Sequence, residues 1–187
     1  MSRGLDVAIA LIALILLSPL LLIAAIAIKL GSRGPVLYRQ VRVGRDGRGF
    51  EMLKLRTMVQ GSDPVGVGTV VTRDDSRVTR AGSFLRRTSL DEIPNLVNVL
   101  RGEMAIVGPR PTIPAQVKDY TPRQSRRHEV LPGITGWAQV QGRAGIPWEK
   151  RIELDVYYVD HRTTALDLRI LAKTAWLLVT GHGLAPD

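Results

Sequence analysis

VAIALIALILLSPLLLIAAIAI, residues 7–28, carries no charged side chain, and only Ser18 and Pro19 interrupt its apolar run. As straight helix it reaches about 33 Å at 1.5 Å per residue, enough to cross the hydrocarbon core of a bilayer. A cleaved signal peptide would have a shorter apolar region, roughly 7–15 residues. An Ala25-x-Ala27 cleavage site exists, but Lys29, Arg33, Arg39, Arg42, Arg45 and Arg48 follow it. Such a basic flank resists translocation and marks the cytoplasmic side. Two readings remain, a spanning helix and a re-entrant one. Pro19 has no N–H, so the carbonyl of Ile15 loses its helical partner and the ring crowds the preceding turn. The Ser18 hydroxyl can return a hydrogen bond to the backbone, which makes such a break tolerable in lipid. A break near the midpoint lets the segment dip in and return, leaving Arg3 and the later bases on one side. Proline is also ordinary in spanning helices, so the residues alone leave both paths open.

Outside that segment, 187 residues suit one compact domain. The absence of cysteine excludes disulfides, thiolate catalysis and Cys-ligated zinc. The formal net charge is +9, and lysine occurs only at positions 29, 54, 118, 150 and 173, so most of the positive charge is arginine. The planar arginine fork suits phosphate better than a flexible ammonium does. The excess therefore points to a polyanionic partner: nucleic acid, anionic lipid or a phosphorylated substrate. The plainer reading is a solvated basic surface. Aromatics make up 5% of the chain, and no stretch reads as a base-stacking platform or zinc finger, which argues against nucleic acid.

PVLYRQVRV and FEMLKLRTM flank GRDGRG, whose Asp46-Gly47 is a hairpin turn signal, so residues 35–58 read as a β-hairpin. Strand alternation places Lys54 and Arg56 on one face, Leu53 and Leu55 on the other. Residues 61–72, rich in Gly and Val, read as a loop. Residues 101–114 read as a turn, a short apolar run and the stiff Gly108-Pro109-Arg110-Pro111, and residues 120–129 as an Arg-rich helix or loop. In PGITGWAQVQGR (132–143) the glycines at 133, 136 and 142 suggest close backbone packing near a ligand. Two helices close the chain. Trp148–Asp160 has Ile152, Val156 and Val159 at helical spacing; Leu168–Val179 aligns Leu168, Leu171, Ala175 and Leu178 in one stripe, with Arg169, Lys173 and Trp176 nearby. That stripe suits either a lipid interface or a core-facing side.

The densest chemistry lies in Ser89-Leu90-Asp91-Glu92-Ile93-Pro94. Structurally, Ser89-x-x-Glu92 matches a capping box, with Asp91 a first-turn acid on the helix dipole and Pro94 an early-turn residue. Functionally, Arg86 and Arg87 precede the pair, Arg101 follows, and Arg110 is displayed by a proline-stiffened turn. A carboxylate beside arginines and a helix N-terminus has its charged form favoured. An ionised carboxylate can attack phosphorus, the arginines can hold a diphosphate in line, and a second acid can bind a divalent metal or accept a proton. The two readings are compatible, because a cap also fixes the position of a nucleophile.

SLDEIPNLVNVLRG (89–102) followed by GPRP (108–111) resembles the signature of the bacterial sugar transferases known as monotopic phosphoglycosyl transferases. Further marks occur in the same order: Ser18-Pro19, Lys54-Leu55-Arg56-Thr57-Met58, Thr79-Arg80 with Leu85-Arg86-Arg87, Pro132-Gly133-Ile134-Thr135-Gly136 with Gly142-Arg143, and Asp155, Tyr157 and Leu166-Asp167-Leu168 in the closing helices. The likeness covers nearly the whole chain and corresponds to a small, catalytic-domain-only form. Asn95 stands where Gln is usual, Ala105 where Ser is usual, and the 61–72 loop is short, which bears on substrate preference.

The resemblance implies an α+β, mostly helical, monotopic membrane protein. Residues 1–31 would form a re-entrant membrane helix broken at Ser18-Pro19, and residues 32–187 a catalytic domain on the cytoplasmic face of the bacterial inner membrane, with a small β-hairpin and amphipathic interfacial helices. It implies transfer of a phosphosugar from a UDP-sugar to a polyprenol phosphate such as undecaprenyl phosphate, releasing UMP, as the first membrane step of a glycoconjugate pathway. Asp91 would be the nucleophile. Glu92 would assist with Mg²⁺, which Asp91 and Glu92 would bind, or with the acceptor phosphate. Lys54, Arg86, Arg110 and Arg143 would hold substrate phosphates. Membrane lipids are implied partners, nucleic acid is not, and a homodimer is left open. Two other classes compete: a non-catalytic, membrane-anchored basic scaffold, and a nucleic-acid-binding membrane protein.

Overall fold

In the computed structural model, residues 1–62, 75–142 and 145–180 are described. Arg143 and most of the 61–72 loop lie outside them. The apolar segment forms one long helix, α1 (Arg3–Gly31), with Pro19 inside it. The Ser18 hydroxyl donates to the carbonyl of Ile15 at 2.8 Å, which supplies the hydrogen bond that Pro19 cannot.

The hairpin forms as its turn signal requires. Strands β1 (Leu37–Val43) and β2 (Gly49–Leu55) pair antiparallel, with Tyr38 opposite Lys54 and Val43 opposite Gly49. The connection runs through a 3-10 turn at Arg45–Gly47, longer than a two-residue hairpin turn, and Asp46 and Gly47 both take positive φ there, 57° and 72°. Two short helices follow, α2 (Arg80–Arg87) and α3 (Asn95–Arg101), separated by a 3-10 turn at Leu90–Glu92. A second, parallel strand pair joins β3 (Ala105–Val107) to β4 (Gly133–Thr135). Between them lie α4 (Pro114–Val117) and α5 (Pro122–Ser125), the second continuing into a 3-10 turn at Arg126–His128. The chain closes with α6 (Trp137–Gly142), α7 (Trp148–His161) and α8 (Thr164–Thr180). This is an α+β, mostly helical fold with a small antiparallel hairpin, as the sequence predicts.

One stripe of α1 packs on the rest of the molecule. Ala10 joins the main core with Leu96, Val99, Met104, Ile106, Trp137, Tyr158 and Ile170, while Ala24 and Ile28 join a smaller cluster with Leu55 and Leu85. Both ends of α1 are tied to that same body. Near its start, Arg3 donates to the carbonyls of Met104 (3.1 Å) and Val99 at the end of α3, and Asp6 accepts the Ile106 N–H at 3.1 Å. At its end, Arg56 donates to the carbonyls of Ser32 (3.0 Å) and Arg33. The opposite face of α1 is apolar and exposed, with Ile12, Ile15, Leu16, Leu22, Ile23 and Leu30 outermost.

α7 buries Ile152 and Val156 as its periodicity predicts. In α8 the buried positions are Asp167 and Ile170; Leu168, Ala175, Trp176, Leu178 and Val179 are exposed. The predicted stripe is thus divided: Leu168, Ala175 and Leu178 are exposed, while Leu171 packs against the main core. The inward side of α8 is set by Asp167, which accepts the Tyr158 hydroxyl at 2.7 Å and so fixes the rotation of the helix.

Candidate active site

Asp91 and Glu92 sit on the 3-10 turn between α2 and α3, half-buried. The predicted capping box does not form. Ser89 is left-handed, with φ 56°, its side chain makes no capping bond, and α3 begins only after Pro94. Glu92 turns away from the helix start because two full cations compete for it, and a charge-assisted bond outweighs one to a backbone N–H. Lys54 Nζ donates to Glu92 Oε1 at 2.8 Å, and Arg110 donates to Oε1 at 2.5 Å and to Oε2 at 3.3 Å. Lys54 arrives from β2 across the hairpin, and Arg110 from the proline-flanked turn after β3.

These partners divide the two acids electrostatically. Burial alone would raise the Glu92 pKa, but the charges of Arg110 and Lys54 override it and hold the carboxyl well below the usual glutamate range. Asp91 has no hydrogen bond or ion pair among the described residues. Burial pushes its pKa up, opposed by the charges of Lys54, Arg110 and Arg86 and reinforced by Glu92. The expectation that neighbouring arginines favour the charged form of Asp91 is thus corrected in direction: desolvation by burial outweighs the pull of Lys54, Arg110 and Arg86. Burial also draws Lys54 below the ordinary lysine value, against the pull of Glu92.

Arg86 approaches from α2, placed by a close backbone contact. A Cβ on Gly82 would lie 1.9 Å from the Thr57 carbonyl oxygen, so only glycine lets α2 settle against that residue. One turn later, Arg86 Nε donates to the Thr57 hydroxyl at 2.8 Å. The guanidinium remains within electrostatic reach of Asp91. Arg87 is exposed, and Arg101 lies exposed at the far end of α3; neither pairs with the acids. Arg56, on the same strand alternation as Lys54, instead serves the end of α1.

The Arg110 turn is held by backbone packing and by two arginines. A Cβ on Gly136 would lie 2.1 Å from the Gly108 carbonyl oxygen, and one on Gly133 would lie 2.1 Å from the Gly108 nitrogen. The glycines at 133 and 136 therefore make the predicted close approach, but to the backbone of the Arg110 turn. Arg42, on β1, donates to the Pro111 carbonyl at 3.3 Å. Arg127, buried, donates to the Arg110 carbonyl at 2.8 Å, to the Tyr120 hydroxyl at 2.8 Å and to Asp155. Sequence reasoning missed both arginines as site residues. Strand alternation could have found Arg42, which shares a face with Tyr38 and Gln40 near Lys54. Nothing local distinguishes Arg127 from Arg123 and Arg126, which pair at the surface.

Among the described residues no group of three His, Cys, Asp or Glu side chains could enclose a metal. Mg²⁺ needs less, since it binds through one or two carboxylates together with substrate phosphates and water. Among the described residues Asp91 is unpartnered and Glu92 Oε2 has one long contact, so the two acids fit that mode.

The sequence matches the bacterial sugar transferase family over residues 1–181. It is 46% identical over 162 residues to the uncharacterized sugar transferase EpsL of Bacillus subtilis (strain 168), covering 87% of this chain and 78% of that protein. It is 44% identical over 187 residues to the UDP-glucose:undecaprenyl-phosphate glucose-1-phosphate transferase of Escherichia coli (strain K12), covering 94% of this chain but 39% of that protein. The protein of the same description from Caulobacter vibrioides is 45% identical, with 96% of this chain and 70% of the relative aligned. The chain belongs to the bacterial sugar transferase family.

Proposed function

We propose that this protein transfers a phosphosugar from a UDP-sugar to a polyprenol phosphate, with Asp91 as the covalent carrier. The names of the Escherichia coli and Caulobacter relatives support the substrate classes: a UDP-sugar donor and undecaprenyl phosphate as acceptor. The observation that carries the mechanism is the split between the acids. Glu92 is neutralised by Lys54 and Arg110, whereas Asp91 stands beside that cluster without a partner and with a raised pKa. A paired acid is a scaffold; an unpaired, desolvated one is a stronger nucleophile.

In the first step, an Asp91 carboxylate oxygen attacks the β-phosphorus of the donor. The bond from that phosphorus to the oxygen bridging the α-phosphate breaks, and UMP leaves with the electron pair. The sugar phosphate remains on Asp91 as an acyl phosphate. In the second step, an acceptor phosphate oxygen attacks the same phosphorus and the bond to Asp91 breaks, which restores the carboxylate. Arg86 and Arg110 hold the diphosphate oxygens, and Lys54 keeps Glu92 in place while adding positive charge where negative charge develops. Arg143 is assigned to the same phosphate-binding set. Mg²⁺, held by Asp91, Glu92 and the donor phosphates, would neutralise charge on the leaving group when bound.

The same proposal places the enzyme on the bacterial cytoplasmic membrane, with α1 as a re-entrant helix and the remainder on the cytoplasmic face. Attachment of both α1 ends to one body supports this path, because a spanning helix would separate Arg3 from Arg56 by the bilayer. The exposed apolar faces of α1 and α8 supply lipid-facing surface.

The deciding experiment incubates the membrane-reconstituted protein with sugar-labelled UDP-sugars and isolates the protein by denaturing gel. Label retained on the wild type, absent from Asp91→Asn and discharged by polyprenol phosphate, supports the scheme. UMP release at the wild-type rate by Asp91→Asn would refute the nucleophile.

A further inference from the structure

We propose that Arg127 is a positioning residue for Arg110: locked to Asp155, it fixes the backbone from which the Arg110 guanidinium reaches Glu92 and the substrate phosphates. The inference rests on the phosphoglycosyl-transfer reading above and extends it to a residue that touches neither acid.

Side chains of Arg127 and Asp155 are 3% and 4% exposed, and the two are ion-paired. Taking a guanidinium and a carboxylate out of water is costly, so such a pair adds little net stability over a well-packed apolar replacement. Its use here lies in where the remaining donors go. A guanidinium presents a rigid fork, and once Asp155 takes one side the other directions are fixed. One of those donors reaches the Tyr120 hydroxyl at 2.8 Å and another the Arg110 carbonyl at 2.8 Å. The fork is further confined between the Tyr120 and Trp148 rings, 5.9 and 5.8 Å from its central carbon.

The acceptor is well chosen for control. Arg110 lies between Pro109 and Pro111, whose rings restrict the backbone on both sides. Gly108 is pressed against Gly133 and Gly136, which pins the start of the turn. Arg42 holds the Pro111 carbonyl from the hairpin side. The Arg110 peptide is the remaining adjustable unit, and Arg127 sets it. Arg110 is itself 43% exposed, so little packing holds its side chain apart from Glu92. Its aim depends on that backbone anchor, and a displacement near 1 Å at such a group costs about 100-fold in rate.

The test is a double-mutant cycle on the membrane-reconstituted protein, reading UMP release at varied donor. Arg127→Met is expected to raise the donor KM and lower kcat/KM by about 100-fold, matching the KM-to-kcat pattern of Arg110→Ala. In the Arg110→Ala background, Arg127→Met should change kcat/KM by no more than about twofold, because the residue it serves is gone. A merely structural role would lower kcat through loss of folded enzyme, leave KM unchanged and act equally in both backgrounds; that outcome overturns the proposal. Arg127→Lys keeps a charge for Asp155 but lacks the fork, and should fold while retaining the KM defect. Tyr120→Phe, a milder change, keeps the cycle readable if Arg127→Met fails to fold. If the wild type releases no UMP from any donor, the functional reading fails separately. The same cycle is then read in thermal unfolding: coupling between positions 127 and 110 upholds the positioning role, and additive shifts overturn it.

Discussion

Lys54 donates its ammonium to Glu92 at 2.8 Å and leaves Asp91, the preceding carboxylate in the chain, without a cation of its own. The two acids therefore have opposite effects on stability. Asp91 has a raised pKa in the folded state, so its ionisation opposes folding once pH exceeds the ordinary carboxylate value; Glu92 has a lowered pKa, so its ionisation favours folding there. Asp91→Asn should abolish UMP release and slightly raise the unfolding midpoint at neutral pH. Glu92→Gln should lower stability by about 2 kcal/mol, since it weakens bonds to two charged groups. Differential scanning of both variants in one lipid or detergent checks the sign.

The rate should respond to pH in a matching way. Asp91 must be ionised to attack, and its raised pKa moves the acid limb of the UMP-release profile above the ordinary aspartate value, near 3.9. Glu92 stays ionised throughout that limb. Lys54 is drawn down by burial, so the alkaline limb should fall below the ordinary lysine value, near 10.4. Steady-state rates across that range, with Lys54→Arg moving only the alkaline limb, provide the measurement.

Gly82→Ala should damage a site it never touches. Its Cβ would fall 1.9 Å from the Thr57 carbonyl oxygen, so α2 must lift and carry Arg86 away from the Thr57 hydroxyl. Overpacking of this kind costs about 1–3 kcal/mol. Activity should fall further than the loss of folded protein explains, which parallel melting curves and kcat/KM values will show.

Ser18 and Pro19 should be coupled. Ser18→Ala leaves the Ile15 carbonyl without its 2.8 Å donor, at a cost of about 1 kcal/mol in an apolar setting. Adding Pro19→Ala restores a backbone N–H for that carbonyl, so the double variant should be more stable than Ser18→Ala alone. Unfolding of the three proteins in detergent measures the coupling. For the path of α1, a tag at Met1 should be accessible from the cytoplasmic side; exclusive access from outside the cell would refute re-entry.

Local chemistry carried much of this architecture. Asp46-Gly47 specifies the hairpin, the spacing of Ile152 and Val156 specifies α7, and the run around Ser18-Pro19 specifies α1. What failed was competition at a distance. Ser89 and Glu92 have the residue types of a capping box, but Lys54 and Arg110 claim the glutamate from 38 and 18 residues away. Gly133 and Gly136 do mark a close approach, yet its partner is Gly108, which no local pattern reveals. Arg127 reads as one more surface base until Asp155, 28 residues on, takes it inside.

The way α1 is attached has a practical corollary. Ala10 and Ile28 are core residues, and Arg3 and Arg56 stitch the two helix ends to the domain. Trimming the segment from the N-terminus through the apolar helix to obtain a water-soluble enzyme would expose Val99, Met104 and Leu85, strip the Met104 and Val99 carbonyls of Arg3 and leave the Ile106 N–H without Asp6. The hydrophobic helix is as much a wall of the catalytic body as a mooring line, so purification has to bring the surrounding amphiphile along with it.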